Sequence, residues 1–233
     1  MRKISIIMPV FNEEKTIEKI VEKVEKVRIR NYEKEIIIVN DCSKDDTSKI
    51  ISNLGRKYKN IKYFSHSVNI GKGAAIRTAL ANMTGEIAII QDADSEYDPK
   101  EIADLIRFRE ENNLQVVYGS RTLNKKNEYS YYSYLLGNLF LNKITNILYG
   151  TKLTDMETCY KLIPSKIFRE IKIKANGFDI EPEITAKVAK LGYKITEFPI
   201  SYYPRSKEDG KKIRWIDGLI AVWILFYWRF KRF

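Results

Sequence analysis

The chain has one histidine, His66, and only two cysteines, Cys42 and Cys159. A zinc-type cluster needs more ligands of those types, and two thiols cannot build a disulfide framework. A Ser-His-Asp triad would have to be centred on His66, which stands beside an apolar run and reads as structural. There is also no uninterrupted apolar segment of the roughly 20 residues that a membrane-crossing helix needs. The strongest one, Ile216 to Trp228, contains Asp217 and Gly218 and runs into Arg229, Lys231 and Arg232. That pattern suits a helix lying in an interface or packing on the domain. The first apolar run, Ile4–Val10, is broken by Asn12, Glu13 and Glu14 with no small-residue cleavage site after it, so it reads as a strand and not a leader.

What the chain does have is positive charge. Lys+Arg 41 against Asp+Glu 30 gives +11 over 233 residues, with 44% hydrophobic and 30% charged, the balance of a globular protein. Between Arg205 and Phe233 eight basic residues face three acids, so nearly half the net charge sits in the tail. Such a tail favours an anionic partner: a nucleotide, a phosphate or an anionic membrane surface. Nucleic acid is disfavoured, because the cations gather in the tail and not on an aromatic-interleaved face.

Apolar runs alternate with helical spacings along the first half. Ile4–Val10, Ile36–Val39, Ile61–Phe64, Ile87–Ile90 and Val116–Val117 read as buried strands. Between them lie a helix carrying Ile17, Ile20, Val21, Val24 and Val27, one carrying Ile50, Ile51 and Leu54, an Ala-rich helix over Gly73–Met83, and one starting near Pro99. This order predicts an α/β fold: a mostly parallel sheet flanked by helices, in one domain over 1–233. Lys125 to Tyr134 reads as a polar, tyrosine-rich loop. Then Leu136, Phe140, Ile144 and Leu148 line one face of a helix, with Asn138, Asn142 and Asn146 opposite, an amphipathic pattern suited to an interface. Asp179–Leu191 reads as a helix and Tyr193–Ile200 as a late strand.

In a parallel sheet, ligands collect beyond the carboxyl ends of the strands. The polar clusters fall there: Asn12-Glu13-Glu14, Asn40-Asp41, Asn69 to Gly73, Asp92-Ala93-Asp94 and Gly119-Ser120-Arg121. Asp92 and Asp94, two apart at the end of a buried strand, repel each other unless a cation lies between them. Hard oxygen ligands select Mg²⁺ or Mn²⁺. Asn69-Ile70-Gly71-Lys72-Gly73 is not a Walker loop, since His66 stands where that pattern needs its first glycine and Gly73 where it needs Ser or Thr. The helix that follows can still offer N–H groups to an anion. Asp155, Glu157, Asp179 and Glu181 form a second acidic group that could touch sugar hydroxyls, cap helices or pair with bases; none is assigned a catalytic role.

The ordered set of motifs resembles a known family. It comprises Met8-Pro9-Val10-Phe11-Asn12-Glu13-Glu14, Val39-Asn40-Asp41-Cys42-Ser43, Asn69-Ile70-Gly71-Lys72-Gly73, Gln91-Asp92-Ala93-Asp94 and Gly119-Ser120-Arg121. Later pieces are Thr154-Asp155-Met156-Glu157-Thr158-Cys159-Tyr160-Lys161, Gly177-Phe178-Asp179-Ile180-Glu181 and Tyr203-Pro204-Arg205-Ser206. The chain resembles the family 2 glycosyltransferases of GT-A (Rossmann-like) fold, and among them the polyprenyl- and dolichyl-phosphate sugar synthases.

The resemblance implies a nucleotide-binding set of Pro9, Phe11, Glu13, Asp41, Gly71, Lys72, Asp92 and Ala93. It implies metal ligands Asp92, Asp94 and Glu96 for Mg²⁺ or Mn²⁺. Asp94, Arg121, Arg205 and Lys211 would act in transfer, the three cations gripping phosphates. The partners implied are a nucleotide sugar such as GDP-mannose or UDP-glucose, a polyprenyl or dolichyl phosphate, an anionic membrane surface and a membrane-embedded partner. Peripheral attachment to the cytoplasmic face follows, with residues 1–121 forming the donor half and 122–233 the acceptor half. The alternative acceptor is a glycolipid or glycan hydroxyl, which would need a general base. Two departures stand out. Cys42 occupies a position where glycine is commoner, and Lys211 stands where the Gln-x-x-Arg-Trp signature of processive synthases has its Gln, which argues against polymerisation.

Overall fold

The computed structural model describes residues 2–127, 132–205 and 215–233. The first half alternates as the apolar pattern predicts: β1 (Arg2–Val10), α1 (Ile17–Lys26), β2 (Tyr32–Asn40), α2 (Thr47–Lys57), β3 (Ile61–Ser65), α3 (Lys72–Asn82), β4 (Ile87–Ile90), α4 (Glu101–Glu111) and β5 (Val116–Ser120). The second half continues with α5 (Tyr132–Tyr149), β6 (Lys161–Pro164), α6 (Ser165–Ile171), α7 (Ile180–Lys190), β7 (Ile195–Pro199) and α8 (Trp215–Phe230).

The strands form a seven-stranded sheet in the order β3-β2-β1-β4-β6-β5-β7. Only β6 runs against its neighbours β4 and β5; the other pairings are parallel. β1 lies between β2 and β4, with Ile6 level with Ile36 and with Ile89. Helices cover both faces of such a strand, which is why Ile4 to Val10 is a continuous buried run and not an alternating one. The chain winds out to β3, returns through α3 and enters β4 on the other side of β1. That reversal opens a crevice beyond the carboxyl ends of β1 and β4.

Three features were not legible in the apolar pattern. β2 begins at Tyr32, well before Ile36, because the partly polar stretch Tyr32–Glu35 pairs with the start of β1. β6 and α6 have no signature in the sequence, since a four-residue strand headed by a lysine shows no periodicity. The stretch Lys125–Tyr134 enters α5 at Tyr132, and residues 128–131 of it lie outside the described residues.

One large core joins the sheet to α1–α4, α6 and α7. A second cluster joins Leu141 of α5, Met156, Ala186 of α7, and Ala221, Leu225 and Trp228 of α8. The end of α8 is clamped by Lys190, whose Nζ donates to the carbonyls of Trp228 at 2.8 Å, Arg229 at 3.0 Å and Lys231 at 2.9 Å. A cation there satisfies carbonyls that a helix end leaves open.

At the opposite end of the sheet from the crevice, Glu35 is buried at 4% exposure. It accepts from Ser5 Oγ, from Thr84 N and Oγ1, from Gly85 N and from Lys62 Nζ. Burial alone would raise its pKa, but these donors, led by Ser5 and Thr84, outweigh it and hold the carboxyl down at about 2. A carboxyl depressed in the fold contributes stability above its unfolded pKa of about 4.5 and loses it as pH falls towards 2. Glu35→Ala should cost about 2 kcal/mol at pH 7, by leaving buried donors without an acceptor. Urea titrations should find that deficit at pH 7 and find it shrinking between pH 4.5 and 2.

Candidate active site

The loops after β1 and β2 are laced together by short polar side chains. Asn12, in the left-handed region at φ 52°, accepts from Lys44 N through its Oδ1, and its own N–H donates to Ser43 Oγ. Glu13 N donates to Thr47 Oγ1, and Glu14 pairs with the backbone of Asp46. Cys42 also sits at positive φ, 61°, which accounts for glycine being the easier residue at that turn. These contacts bring the ends of β1 and β2 to one rim.

Asp41 organises the next loop. Its carboxylate, 2% exposed, accepts from Asn69 Nδ2, Ile70 N and Gly71 N and pairs with His66 Nδ1 at 2.7 Å. The far nitrogen of His66 meets Thr78 Oγ1 of α3 at 2.9 Å, so the histidine is a strut between loop and helix, as expected of a structural residue. Gly71, at φ 118°, has no room for a Cβ, which would run into the Asn176 carbonyl.

That turn aims Lys72 into the crevice. Its Nζ bridges Asp92 at 3.0 Å and Glu181 at 2.8 Å. Desolvation would lower its pKa, but the charges of Asp92 and Glu181 hold it well above the usual lysine value. The sequence gives Glu181 no partner; its place in the first turn of α7, opposite the glycine-rich loop, supplies one.

Asp94 faces the end of β1. Arg205 reaches it at 3.2 Å and contacts Glu13 at 3.1 Å, tying the loop after β4 to the loop after β1. Burial, then the charges of Asp92 and Glu96, push the Asp94 carboxyl up to about 7 despite Arg205. Glu96 turns to the segment before Arg205, accepting from Tyr202 Oη and from Arg205 N, both at 2.9 Å. Arg121 forms a two-pronged pair with Asp155, Nε to Oδ2 and Nη2 to Oδ1 at 2.7 Å each, and lies 5.1 Å over the Tyr202 ring. Asp155 is fully buried, and its charge keeps Arg121 protonated against desolvation.

The structure therefore gathers Glu13, Asp94, Glu96 and Arg205 in one group and Lys72, Asp92 and Glu181 in the next, with Arg121 joined through Tyr202. Pro9, buried in β1 beside Val39, and Phe11 lead into Glu13, and Ala93 is buried between the two aspartates. Lys211 lies outside the described residues.

Asp92 and Asp94 have the donor chemistry that Mg²⁺ or Mn²⁺ takes, and the charge of Asp92, which adds to burial in raising the Asp94 pKa, is one that a divalent cation would offset. Among the described residues no three His, Cys, Asp or Glu side chains converge as a ready cage. A magnesium-like ion takes much of its shell from water and substrate phosphates.

A family model described as glycosyl transferase family 2 matches residues 5–172. The chain belongs to this family. The glycosyltransferase is 30% identical over 240 residues to a dolichyl-phosphate beta-glucosyltransferase, ALG5A, of Trichomonas vaginalis, covering 94% of this chain and 70% of that one. It is 29% identical to an uncharacterised protein, MJ0544, of Methanocaldococcus jannaschii, over 84% of this chain and 86% of the other. In fold it matches glucosyl-3-phosphoglycerate synthase from Mycobacterium tuberculosis in complex with UDP, with a TM-score of 0.72 at 17% identity over 98% of this chain and 80% of that one. The same synthase in complex with Mn²⁺ and UDP-glucose gives 0.70 at 18% identity, again over 98% of this chain and 79% of that one. The mostly parallel sheet expected of a GT-A transferase is thus the fold observed.

Replacing Lys72 would leave Asp92 and Glu181 facing each other with no cation between them. Lys72→Ala should raise the KM for the nucleotide sugar at least about tenfold, the effect of losing one charge-assisted hydrogen bond, with Lys72→Arg milder. Unchanged KM in the alanine variant would remove Lys72 from the donor site.

Proposed function

We propose that this glycosyltransferase moves a hexose from a nucleotide sugar, UDP-glucose or GDP-mannose, to a polyprenyl or dolichyl phosphate at a membrane surface. The contact of Arg205 with both Asp94 and Glu13 carries this reading, because it sets a cation where an anionic acceptor must come up against an anionic donor. The 30% identity to a dolichyl-phosphate beta-glucosyltransferase over 94% of the chain supports the acceptor class and favours glucose as the sugar.

A lipid phosphate is already an anion and needs no general base; its difficulty is repulsion from the donor diphosphate. An acceptor phosphate oxygen attacks the anomeric carbon as the bond from that carbon to the diphosphate breaks. The electron pair leaves on the nucleoside diphosphate, and the anomeric configuration inverts. Glu13 and the loop ordered by Asp41 hold the nucleoside end, with Gly71 and Lys72 beside the phosphates. Asp92 and Asp94 would hold Mg²⁺ or Mn²⁺, which would supply positive charge for the departing diphosphate. Arg121 and Arg205, with Lys211, receive the acceptor phosphate. Apart from Arg121, residues 1–121 serve the donor, and 122–233 serve the acceptor.

The membrane surface is met by α5 and α8. Phe140 and Ile147 of α5 and Leu219, Trp223 and Phe230 of α8 are exposed, Phe230 at 79%, and Arg229, Lys231 and Arg232 flank Phe230 at the end of α8. No helix among the described residues is long and apolar enough to cross a membrane. Apolar faces with aromatic and basic margins fit a peripheral seat on the cytoplasmic leaflet.

The test is to incubate the protein with labelled UDP-glucose or GDP-mannose, Mg²⁺ or Mn²⁺, and a polyprenyl phosphate in anionic vesicles. Label should enter the organic phase from one donor, and should need the lipid phosphate. Transfer to a glycolipid hydroxyl and none to the lipid phosphate would overturn the acceptor. Trp223→Ser combined with Phe140→Ser should abolish co-sedimentation with the vesicles while leaving the folded protein's circular dichroism intact; undiminished binding would overturn the docking face.

A further inference from the structure

The two sides of α5 do different things. Its outer side carries exposed Leu136, Leu139, Phe140 and Ile147. Its inner side carries Asn138, Asn142 and Asn146, four residues apart and so stacked along one face. All three amides bind the 151–156 stretch that follows the helix. Asn146 exchanges hydrogen bonds with Leu153, accepting from its N at 2.8 Å and donating to its O at 2.9 Å, and accepts from Thr151 Oγ1. Asn142 donates to the Thr154 carbonyl and accepts from Met156 N at 2.7 Å. These two bind backbone and fasten the loop.

Asn138 differs. Its partner is not backbone but the buried Asp155 carboxylate, to which Nδ2 donates at 3.1 Å. An ionised carboxylate only accepts, so the amide must present its NH₂ to Asp155. The same Oδ1 accepts Arg121 Nη2, while Oδ2 accepts Arg121 Nε and N. From the other side Glu197 of β7 fixes Asp155, accepting its N–H at 2.8 Å. Asn138 and Asp155 are buried at 8% and 0% exposure. A polar amide in that place serves packing poorly, and its contribution is to set the Asp155 rotamer and, through it, the Arg121 fork.

We infer that Asn138 is a positioning residue for Arg121, holding its guanidinium through Asp155 for the acceptor phosphate. The inference rests on the acceptor reading above. It also joins the helix that faces the lipid to the cation that meets the lipid's phosphate through two consecutive hydrogen bonds.

Two measurements test it on the full chain. The first needs no acceptor: phenylglyoxal labelling of Arg121, followed by peptide mass spectrometry. Asn138→Ala should raise the Arg121 labelling rate about fivefold, as one bond of its clamp is lost, and Asn146→Ala, which touches only loop backbone and Thr151, should not. The second is a double-mutant cycle with polyprenyl phosphate. Asn138→Ala should raise the acceptor KM about tenfold with the donor KM unchanged, and should add nothing in an Arg121→Ala background. Labelling equal to wild type in Asn138→Ala, or additive losses in the cycle, would overturn the inference. If the wild type transfers nothing to polyprenyl phosphate, the acceptor reading fails, and the labelling result alone decides whether Asn138 positions Arg121.

Discussion

Too many carboxylates share one crevice, and the cations set among them govern its geometry. Glu13, Asp92, Asp94, Asp155 and Glu181 are each met by a cation that arrives from elsewhere in the fold: Lys72 from the glycine-rich turn, Arg121 from the end of β5, Arg205 from the segment after β7. Buried like charges repel strongly in a medium less polar than water, so each pair is a structural necessity as well as a chemical resource. Burial and the charges of Asp92 and Glu96 raise the Asp94 pKa despite Arg205, so compensation there is incomplete. The acidic group also extends inward: Glu157 is pushed up to about 8 by burial and by Glu181, and Lys161 is lowered to about 8 by burial. A divalent cation with an anionic diphosphate would fit a rim that already pairs opposite charges.

Much of this was legible in the residues. The strands announced themselves because parallel strands covered on both faces are continuous apolar runs, and their polar ends marked the rim. Asp92, Asp94, Gly71 and Lys72 stand at those ends. The partners of these residues were harder to find. Glu181 lies 109 positions from Lys72 and its pairing depends on where α7 enters the sheet. Asp155 reads as one acid among several until the turn before β6 delivers it to Arg121. β6 itself, four residues headed by a lysine that is nonetheless fully buried, carries no pattern that a sequence can display. Asp41 shows the converse: the residue stood out, but its carboxylate is engaged by the loop it organises.

The asparagines of α5 were visible as a polar face, and that face turned out to bind a loop and not solvent. An amphipathic helix is usually sorted into an inside and an outside. Here the polar side is bonded to the 151–156 stretch, Leu141, Ile144 and Leu148 pack inward with α8, and Leu136, Leu139, Phe140 and Ile147 are left facing out. The exposed apolar side chains are the ones on which the proposed membrane seat rests. Lys187 and Lys190 of α7 hold α8, Lys187 with its Nζ 3.8 Å over the Trp228 ring, and the buried sides of α5 and α8 share one cluster.

Donor binding linked to metal is the most direct measurement of the charge balance on which this crevice depends. Calorimetric titration of UDP-glucose and GDP-mannose, in Mg²⁺ or in chelator, should show the preferred donor binding at least about 100-fold more tightly with the ion, and Asp94→Asn should lose that difference. Equal affinity with and without the ion in the wild type would contradict a cation shared between the aspartates and the diphosphate.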